Sequence, residues 1–258
     1  MKKMLCLLTA IMCLFCMSVN LPASADCDAA IPGGALGLKV LSEIDDGTGI
    51  ALVSPQSLYL ALGMAAQGAR GDTLALLEAS LNVNGFDADK AKAELAAMQS
   101  VGLSVANAYF KAGDISLKPE YEAVLKGAYS AQGFAIDDDI VSHVNDWAAE
   151  NTDGMIREVL TRKPDDDTKL ILANALLMDA KWQRKFESYA TVERTFHGAS
   201  GDTQVDMMFR RGDMLYGETN SAQVVYLPYE AEGLGMYVIL PGGAGGVAAR
   251  FFISRFIS

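Results

Sequence analysis

Few side chains in this sequence have the type and spacing that catalysis requires. The chain contains two histidines, His143 and His197, which lie far apart and have no second histidine or cysteine at the spacing of metal ligands. We interpret both as surface or capping residues. No G-x-S-x-G, phosphate-loop or H-E-x-x-H motif accompanies them. We therefore expect no catalytic residues, no cofactor and no enzymatic activity.

Two further patterns imitate ligand sites but fit them poorly. Asp137, Asp138 and Asp139 precede a predicted helix, where they favour the positive end of its dipole, and they lack the interspersed ligands of a calcium loop. The glycines of residues 243–248 imitate a dinucleotide-binding turn, yet Pro241 interrupts the strand exit and no acidic ribose partner follows. Neither pattern predicts a metal or nucleotide site.

The first 25 residues have the features of a secretory signal peptide. Lys2 and Lys3 begin the chain, an apolar run covers residues 4–19, and small residues at 23–25 form a cleavage site. We expect removal of residues 1–25 and a secreted location, extracellular or periplasmic, with no membrane association after cleavage. The uncleaved alternative is a marginal membrane anchor, because about 16 apolar residues barely span a bilayer.

Cysteine usage indicates a fold that does not rely on disulfide bonds. Three of the four cysteines lie in the predicted signal, so only Cys27 would remain in the mature chain. One thiol cannot form an internal bridge, which leaves pairing with another chain open. The core must therefore stabilise the protein by itself.

Composition indicates a globular, acidic protein. Of the 258 residues, 51% are hydrophobic and 21% are charged, and 21 lysines and arginines stand against 32 aspartates and glutamates, for a net charge of −11. That balance opposes binding to a phosphate backbone, which requires clustered cations. We expect no nucleic-acid partner.

Two segments place polar side chains within predicted buried elements. Ser54 and Pro55 are typical of a helix start, and the helix predicted over residues 55–66 is apolar nearly all round and so must be buried. Residues 169–178 are continuously apolar except for Asn174, as in a strand covered on both faces. A buried amide without partners is costly, so we expect Asn174 to be hydrogen-bonded.

Further hydrophobic patterns complete one α+β domain without repeats or linkers. A helix that ends at Leu81 is predicted to be capped by Asp72 or Thr73. Other predicted helices cover residues 90–98, residues 121–129 and the segment after Asp139, and predicted strands cover residues 103–110, 223–227 and 234–240.

Several motifs, in one order along the chain, resemble the serpin family of protease inhibitors. The matches extend from about residue 36 to residue 241, and together they are specific although each alone is weak. They comprise Leu52-Val-Ser54-Pro55-Gln-Ser57-Leu58, Gly68-Ala-Arg-Gly71-Asp-Thr73, Val144-Asn145-Asp-Trp147, Thr152-Asp-Gly154-Met-Ile156, Asn174 with Trp182 and Phe186, Phe196 with Val205-Asp-Met207-Met208, and Leu227-Pro228-Tyr229 with residues 234–241.

The resemblance implies a fold and a mechanism. The fold would be α+β and serpin-like, with helices packed around a large mixed β-sheet plus smaller sheets. Ser54, Ser57 and Asn174 would form the polar cluster beneath the point where the large sheet opens, and Trp182 would lie at the top of that opening. In this family a protease attacks an exposed reactive loop and forms its acyl-enzyme. The cut loop then inserts into the sheet as a new strand and distorts the protease, while the inhibitor catalyses nothing.

The chain departs from the family pattern beyond Pro241. The resemblance implies a partial serpin domain over residues 26–241 and a non-matching tail over residues 242–258, so the family's C-terminal third, with the reactive loop, is absent. We expect serine or cysteine proteases as partners of a full-length form only, and no protease inhibition by the 258-residue chain. The unpaired edge of the strand at residues 169–178 should also promote self-association.

Two alternative functions stay open. The chain could be a non-inhibitory exported protein with a serpin-like fold and a binding or structural role. More remotely, it could be an exported hydrolase that uses Ser54 or Ser57. Both serines should be buried without a histidine partner, which disfavours the hydrolase.

Overall fold

The computed structural model describes residues 34–45, 51–198, 201–242 and 250–255. The predicted signal peptide, Cys27 and the glycines of residues 243–248 lie outside the described residues. The chain divides into two compact units, Met1–Ile44 with Ala51–Asp179, and Asp45–Ile50 with Ala180–Ser258. We call them the first unit and the second unit.

The described residues of the first unit form helices around a three-stranded sheet. The predicted helices of this region and the strands predicted over residues 103–110 and 169–178 are confirmed to within a few residues, whereas α1 and β2 were not predicted. The short apolar segment of residues 50–53 also has the pattern of a strand, but residues 51–53 form none. None of these helices combines the length and apolarity needed to cross a membrane. The helices are α1 Gly34–Ile44, α2 Pro55–Gly68, α3 Gly71–Leu81, α4 Ala88–Ser100, α5 Pro119–Gly127 and α6 Ile140–Asn151, and the strands are β1 Leu103–Ala112, β2 Gln132–Ile136 and β3 Leu170–Met178.

The sheet of the first unit is mixed, and β3 lies at its edge. β1 is central, and it pairs in parallel with β2 and antiparallel with β3. In the register of β1 and β3, Asn107 lies opposite Asn174. No strand within the described ranges pairs with the outer edge of β3. The strand predicted to be covered on both faces is therefore flanked by a single neighbouring strand in this part of the chain.

Helix α6 covers one face of this sheet. Val144 and Trp147 of α6 are buried together with Ala108 and Phe110 of β1 and Ala175 of β3. The small alanines leave room for the indole, which is 5% exposed. The apolar face predicted for this helix is thus the face that packs on the sheet.

Helix α3 begins differently from the prediction. It starts at Gly71, and Arg70 occupies the N-cap position without a side-chain hydrogen bond. The predicted caps, Asp72 and Thr73, fall inside the first turn instead, where a carboxylate still favours the helix dipole. Gly71, the first residue of the helix, has a φ of 58°, in the left-handed region that glycine enters most readily.

The second unit is mainly β-structure. A one-turn 3-10 helix, Ser188–Ala190, precedes an antiparallel hairpin, and an antiparallel sheet in the order β6-β7-β8-β9 follows. The strands predicted over residues 223–227 and 234–240 are confirmed as β7 and β8. β9 lies beyond Pro241, where the sequence predicted no element. The strands are β4 Val192–Gly198, β5 Gly201–Met207, β6 Leu215–Glu218, β7 Ala222–Pro228, β8 Leu234–Pro241 and β9 Arg250–Arg255.

Candidate functional site

The predicted polar residues begin at the head of α2. Ser54 has an extended backbone, and its Oγ accepts a hydrogen bond of 3.0 Å from the Ser57 amide. Pro55 at the first helical position has no N–H that needs a partner. Ser54 and Ser57 are 2% and 5% exposed. Ser54 therefore caps a helix whose start is buried, as predicted.

Asn174 on β3 is hydrogen-bonded, as its apolar surroundings predict. Its Nδ2 donates to Asn107 Oδ1 at 2.8 Å and, at the longer distance of 3.4 Å, to the Ala106 carbonyl. Both asparagines are buried. The amide pair ties β3 to β1 in addition to the backbone ladder between the two strands.

The two asparagines lie on the face of the sheet opposite α6. Ala108 of β1 and Ala175 of β3 belong to the core beneath α6. Because successive side chains of a strand point to opposite faces, Asn107 and Asn174 point away from that core. Helix α2 packs against β3.

Tyr129 joins the asparagine pair to α2. Its carbonyl accepts a hydrogen bond of 2.7 Å from Asn107 Nδ2, and its hydroxyl would lie 2.8 Å from a Cβ at Gly63 of α2. Glycine at this position makes room for the phenol. Burial raises the pKa of the Tyr129 hydroxyl to about 12, so the phenol stays neutral at ordinary pH. A continuous set of contacts thus runs from α2 through Tyr129 and Asn107 to Asn174.

Two buried polar atoms of these residues, Ser57 Oγ and Asn174 Oδ1, have no hydrogen-bond partner in the described part of the chain. An unsatisfied buried polar group costs roughly 1–3 kcal/mol. The structure therefore brings Ser54 and Ser57 together on α2, and Asn107 and Asn174 together on the sheet, with no hydrogen bond joining Ser57 to Asn174. That the three predicted residues act as one sheet-opening cluster stays a prediction.

Trp182 lies in the second unit within a stack of aromatic rings. Its ring stacks on Tyr229 with centroids 4.4 Å apart, and it meets Phe186 edge-on with centroids 5.9 Å apart. The backbone of Trp182 also forms an isolated antiparallel bridge with Tyr229. Its place at the top of the sheet opening stays a prediction.

Sequence reasoning missed Asn107 and Tyr129 as neighbours of Asn174. Asn107 carried a usable signal, because it interrupts the apolar centre of β1 as Asn174 interrupts that of β3. Two isolated amides in adjacent strands predict a pair once the register is known. Tyr129 carried no such signal, because it acts on Asn107 through its carbonyl, a group that every residue has.

The other chemically interesting side chains lie at the surface. His143 and His197 are exposed, and their Nδ1 atoms lie 3.2 Å from Asp137 and 2.7 Å from Asp202. A hydrogen bond from Lys163 holds the pKa of the Asp138 carboxyl below its usual range. Within the described ranges, no three histidine, cysteine or acidic residues are grouped as a metal ion would require. These contacts are typical of solvated surface charges.

Comparison with known protein families agrees with this architecture. The model of the Serpin (serine protease inhibitor) family matches residues 34–249. The match extends past Pro241, where the resemblance by individual motifs ends. It includes residues of both compact units described above.

Individual relatives and solved structures show the same similarity. The leukocyte elastase inhibitor of Bos taurus is 33% identical over 75% of this chain and 55% of that protein. An Arabidopsis serpin in its native stressed conformation is 26% identical, with a TM-score of 0.71 over 81% of this chain and 58% of that one. Tengpin, a thermophilic serpin in the latent state, is also 26% identical, with a TM-score of 0.71 over 84% of this chain and 66% of that one. The chain spans about half the length of the curated relatives it matches.

Proposed function

Because the chain belongs to the serpin family, we propose that it forms part of a serine protease inhibitor that acts by strand insertion. The observation that carries this proposal is the outer edge of β3, beside which no described strand lies. An unpaired edge can accept a new strand through its backbone N–H and C=O groups. The Bos taurus relative is named an elastase inhibitor, which supports a serine protease as the target.

We propose that Ser54, Ser57 and Asn174 serve the opening of the sheet beside that edge. In the arrangement described here, Ser57 Oγ and Asn174 Oδ1 are buried without partners. The sheet thus lacks hydrogen bonds that a rearranged sheet could supply, each worth roughly 1–3 kcal/mol to a buried group. Relatives solved in a native stressed and in a latent state support a fold that adopts more than one arrangement.

Insertion would provide the driving force for inhibition. A protease would cleave the reactive loop and remain attached as an acyl-enzyme while the cut loop becomes a strand beside β3. Each new backbone hydrogen bond contributes about 1 kcal/mol, and apolar burial adds to it. We propose that the 258-residue chain traps no protease by itself, because no described strand forms the other side of the gap.

Adduct formation with proteases tests this proposal. The chain is compared with a chimera that carries, after residue 241, the C-terminal third of the leukocyte elastase inhibitor, and circular dichroism verifies that both fold. We expect a covalent, denaturant-resistant complex with elastase from the chimera and none from the chain. A complex formed by the chain alone would show that the chain is not inactive. A folded chimera that forms no covalent complex would overturn the proposed inhibitory function and favour a non-inhibitory binding or structural role.

We also propose that the protein is exported and that residues 1–25 are removed. The support is the basic start, the apolar run and the small residues before Asp26. Mass spectrometry of the protein secreted by an expressing cell should give a mature chain that begins at Asp26. Retention of the full mass in the cell would contradict export.

A further inference from the structure

Acidic and basic residues are balanced over residues 180–258 of the second unit. Residues 180–258 contain eight lysines and arginines and eight aspartates and glutamates, so the net charge of −11 comes from the preceding residues. Three of these cations, Arg184, Arg194 and Arg210, are linked to aromatic rings or to one another. On β4, Arg194 lies on the face of the strand opposite to that of Glu193, so cations can be grouped on one face although the charges of residues 180–258 balance.

Arg210 is held in place by two contacts. Its Nη1 donates a hydrogen bond of 2.7 Å to the Arg184 carbonyl, and its Cζ lies 5.2 Å from the centroid of the Phe186 ring. Phe186 meets Trp182 edge-on, and Trp182 stacks on Tyr229. A guanidinium over an aromatic face is favourable, and the row of rings behind it restricts its motion. Arg210 is thus oriented before any ligand binds.

The guanidinium groups of Arg194 and Arg184 approach the residues on either side of Arg210 and Arg211. Arg194 Cζ lies 5.8 Å from the centroid of Phe209, the residue before Arg210. The side chain of Arg184 approaches Gly212, where a Cβ would lie 3.5 Å from its Nη1. In the described part of the second unit, the ion pair found is that of His197 with Asp202, so none of the three arginines is neutralised by a carboxylate.

Exposed apolar side chains accompany these arginines. On β4, Val192, Arg194 and Phe196 alternate along the strand and so share one face of the hairpin. Val192 and Phe196 are 43% and 41% exposed, and Phe209 is 45% exposed. On this face of β4, one guanidinium thus lies between two exposed apolar side chains, and Phe209 adds a third beside it.

We propose that this arginine surface, which comprises Arg184, Val192, Arg194, Phe196, Phe209 and Arg210, binds an acidic peptide segment in which carboxylates alternate with apolar side chains. Guanidinium groups form paired hydrogen bonds with carboxylates, and the period of two on β4 matches an extended peptide. A sulfated polysaccharide would use the charges but leave the apolar side chains between them exposed. The exposed apolar side chains on both sides of Arg194 favour the peptide.

Fluorescence anisotropy of the full chain with a labelled peptide of alternating glutamate and valine tests this proposal. The test variant is Arg184→Gln/Arg210→Gln, and the matched control is Lys90→Gln/Lys92→Gln, which removes the same charge from exposed positions of α4. We expect the arginine variant to weaken binding by about tenfold or more and the lysine control to weaken it by less than about threefold. The single variant Arg184→Gln, which keeps Arg210 over its ring, should show an intermediate loss. Circular dichroism and thermal unfolding of each variant verify that the fold is retained.

Three outcomes would overturn the proposal. The first is no measurable binding of the peptide by the folded parent chain at low salt. The second is an equal loss in the arginine variant and the lysine control, which would indicate unspecific charge attraction. The third is tighter, arginine-dependent binding of a heparin fragment than of the peptide, which would assign the surface to a polyanion instead.

Discussion

Two serines at the head of α2 should differ in what they contribute to stability. Ser54 Oγ accepts a hydrogen bond from the Ser57 amide, whereas Ser57 Oγ has no partner among the described residues. We expect Ser54→Ala to lower the free energy of unfolding by roughly 0.5–2 kcal/mol, the usual cost of losing a cap. Ser57→Ala should change it by less than about 0.5 kcal/mol or raise it slightly. Urea unfolding measures both, and equal losses would contradict the capping role of Ser54.

Tyr129 should make the folded protein lose stability at high pH. Burial raises the pKa of its hydroxyl from 10.0 to about 12. Between these values the unfolded chain has released the proton that the folded chain retains, so the free energy of unfolding falls as the pH rises. A difference of two pKa units corresponds to about 2.7 kcal/mol.

Tyr129→Phe separates this effect from the titration of other groups. The variant keeps the ring but has no hydroxyl, so its free energy of unfolding should fall less steeply between pH values of about 10 and 12. Urea unfolding at a series of alkaline pH values measures both slopes. Parallel declines in the parent and the variant would show that Tyr129 does not carry the effect.

At the scale of the elements, α6 depends on one large side chain packed over small ones. Trp147 is 5% exposed in the core with Ala108 and Ala175, and its Nε1 has no hydrogen-bond partner within the described ranges. We expect Trp147→Ala to lower the free energy of unfolding by about 3–5 kcal/mol because it leaves a cavity. Trp147→Phe should cost clearly less, because the phenyl ring fills most of the space of the indole and no hydrogen bond of the indole N–H is lost. Urea unfolding measures both costs, and equal costs would contradict the packing of an aromatic ring as the contribution of this position.

Helices and strands with a clear capping residue or hydrophobic pattern could be predicted from the sequence. Features that depend on which strands pair could not. The capped start of α2 and the apolar run of β3 follow from Ser54 and from hydrophobic pattern alone. β2 was missed because its five residues are mostly exposed and show no alternation. The pairing of Asn107 with Asn174 was missed because it needs the register of two strands distant in sequence. Local chemistry therefore identified Ser54 and Asn174, the family resemblance added Ser57, and tertiary contacts supply Asn107 and Tyr129.

For the whole molecule, the outer edge of β3 and the net charge have opposite effects on association. β3 is apolar apart from Asn174, and no described strand covers its outer edge, so it can pair with another copy. The net charge of −11 repels copies from one another, and salt screens that repulsion. We expect the sedimentation coefficient to rise with protein concentration, and to rise further as salt is added. Binding of an acidic peptide to the arginine surface should weaken with salt instead.

A charge on β3 tests whether this edge is the contact between copies. Leu172 is half-buried and lies opposite Tyr109 in the sheet. We expect Leu172→Lys to suppress association, because a lysine on an edge strand must be desolvated when two copies pair. Leu172→Ala shortens the same side chain without adding charge and should still associate. Two results would contradict pairing through the edge of β3. One is a parent chain that stays monomeric at every concentration, and the other is an alanine variant that associates as weakly as the lysine variant.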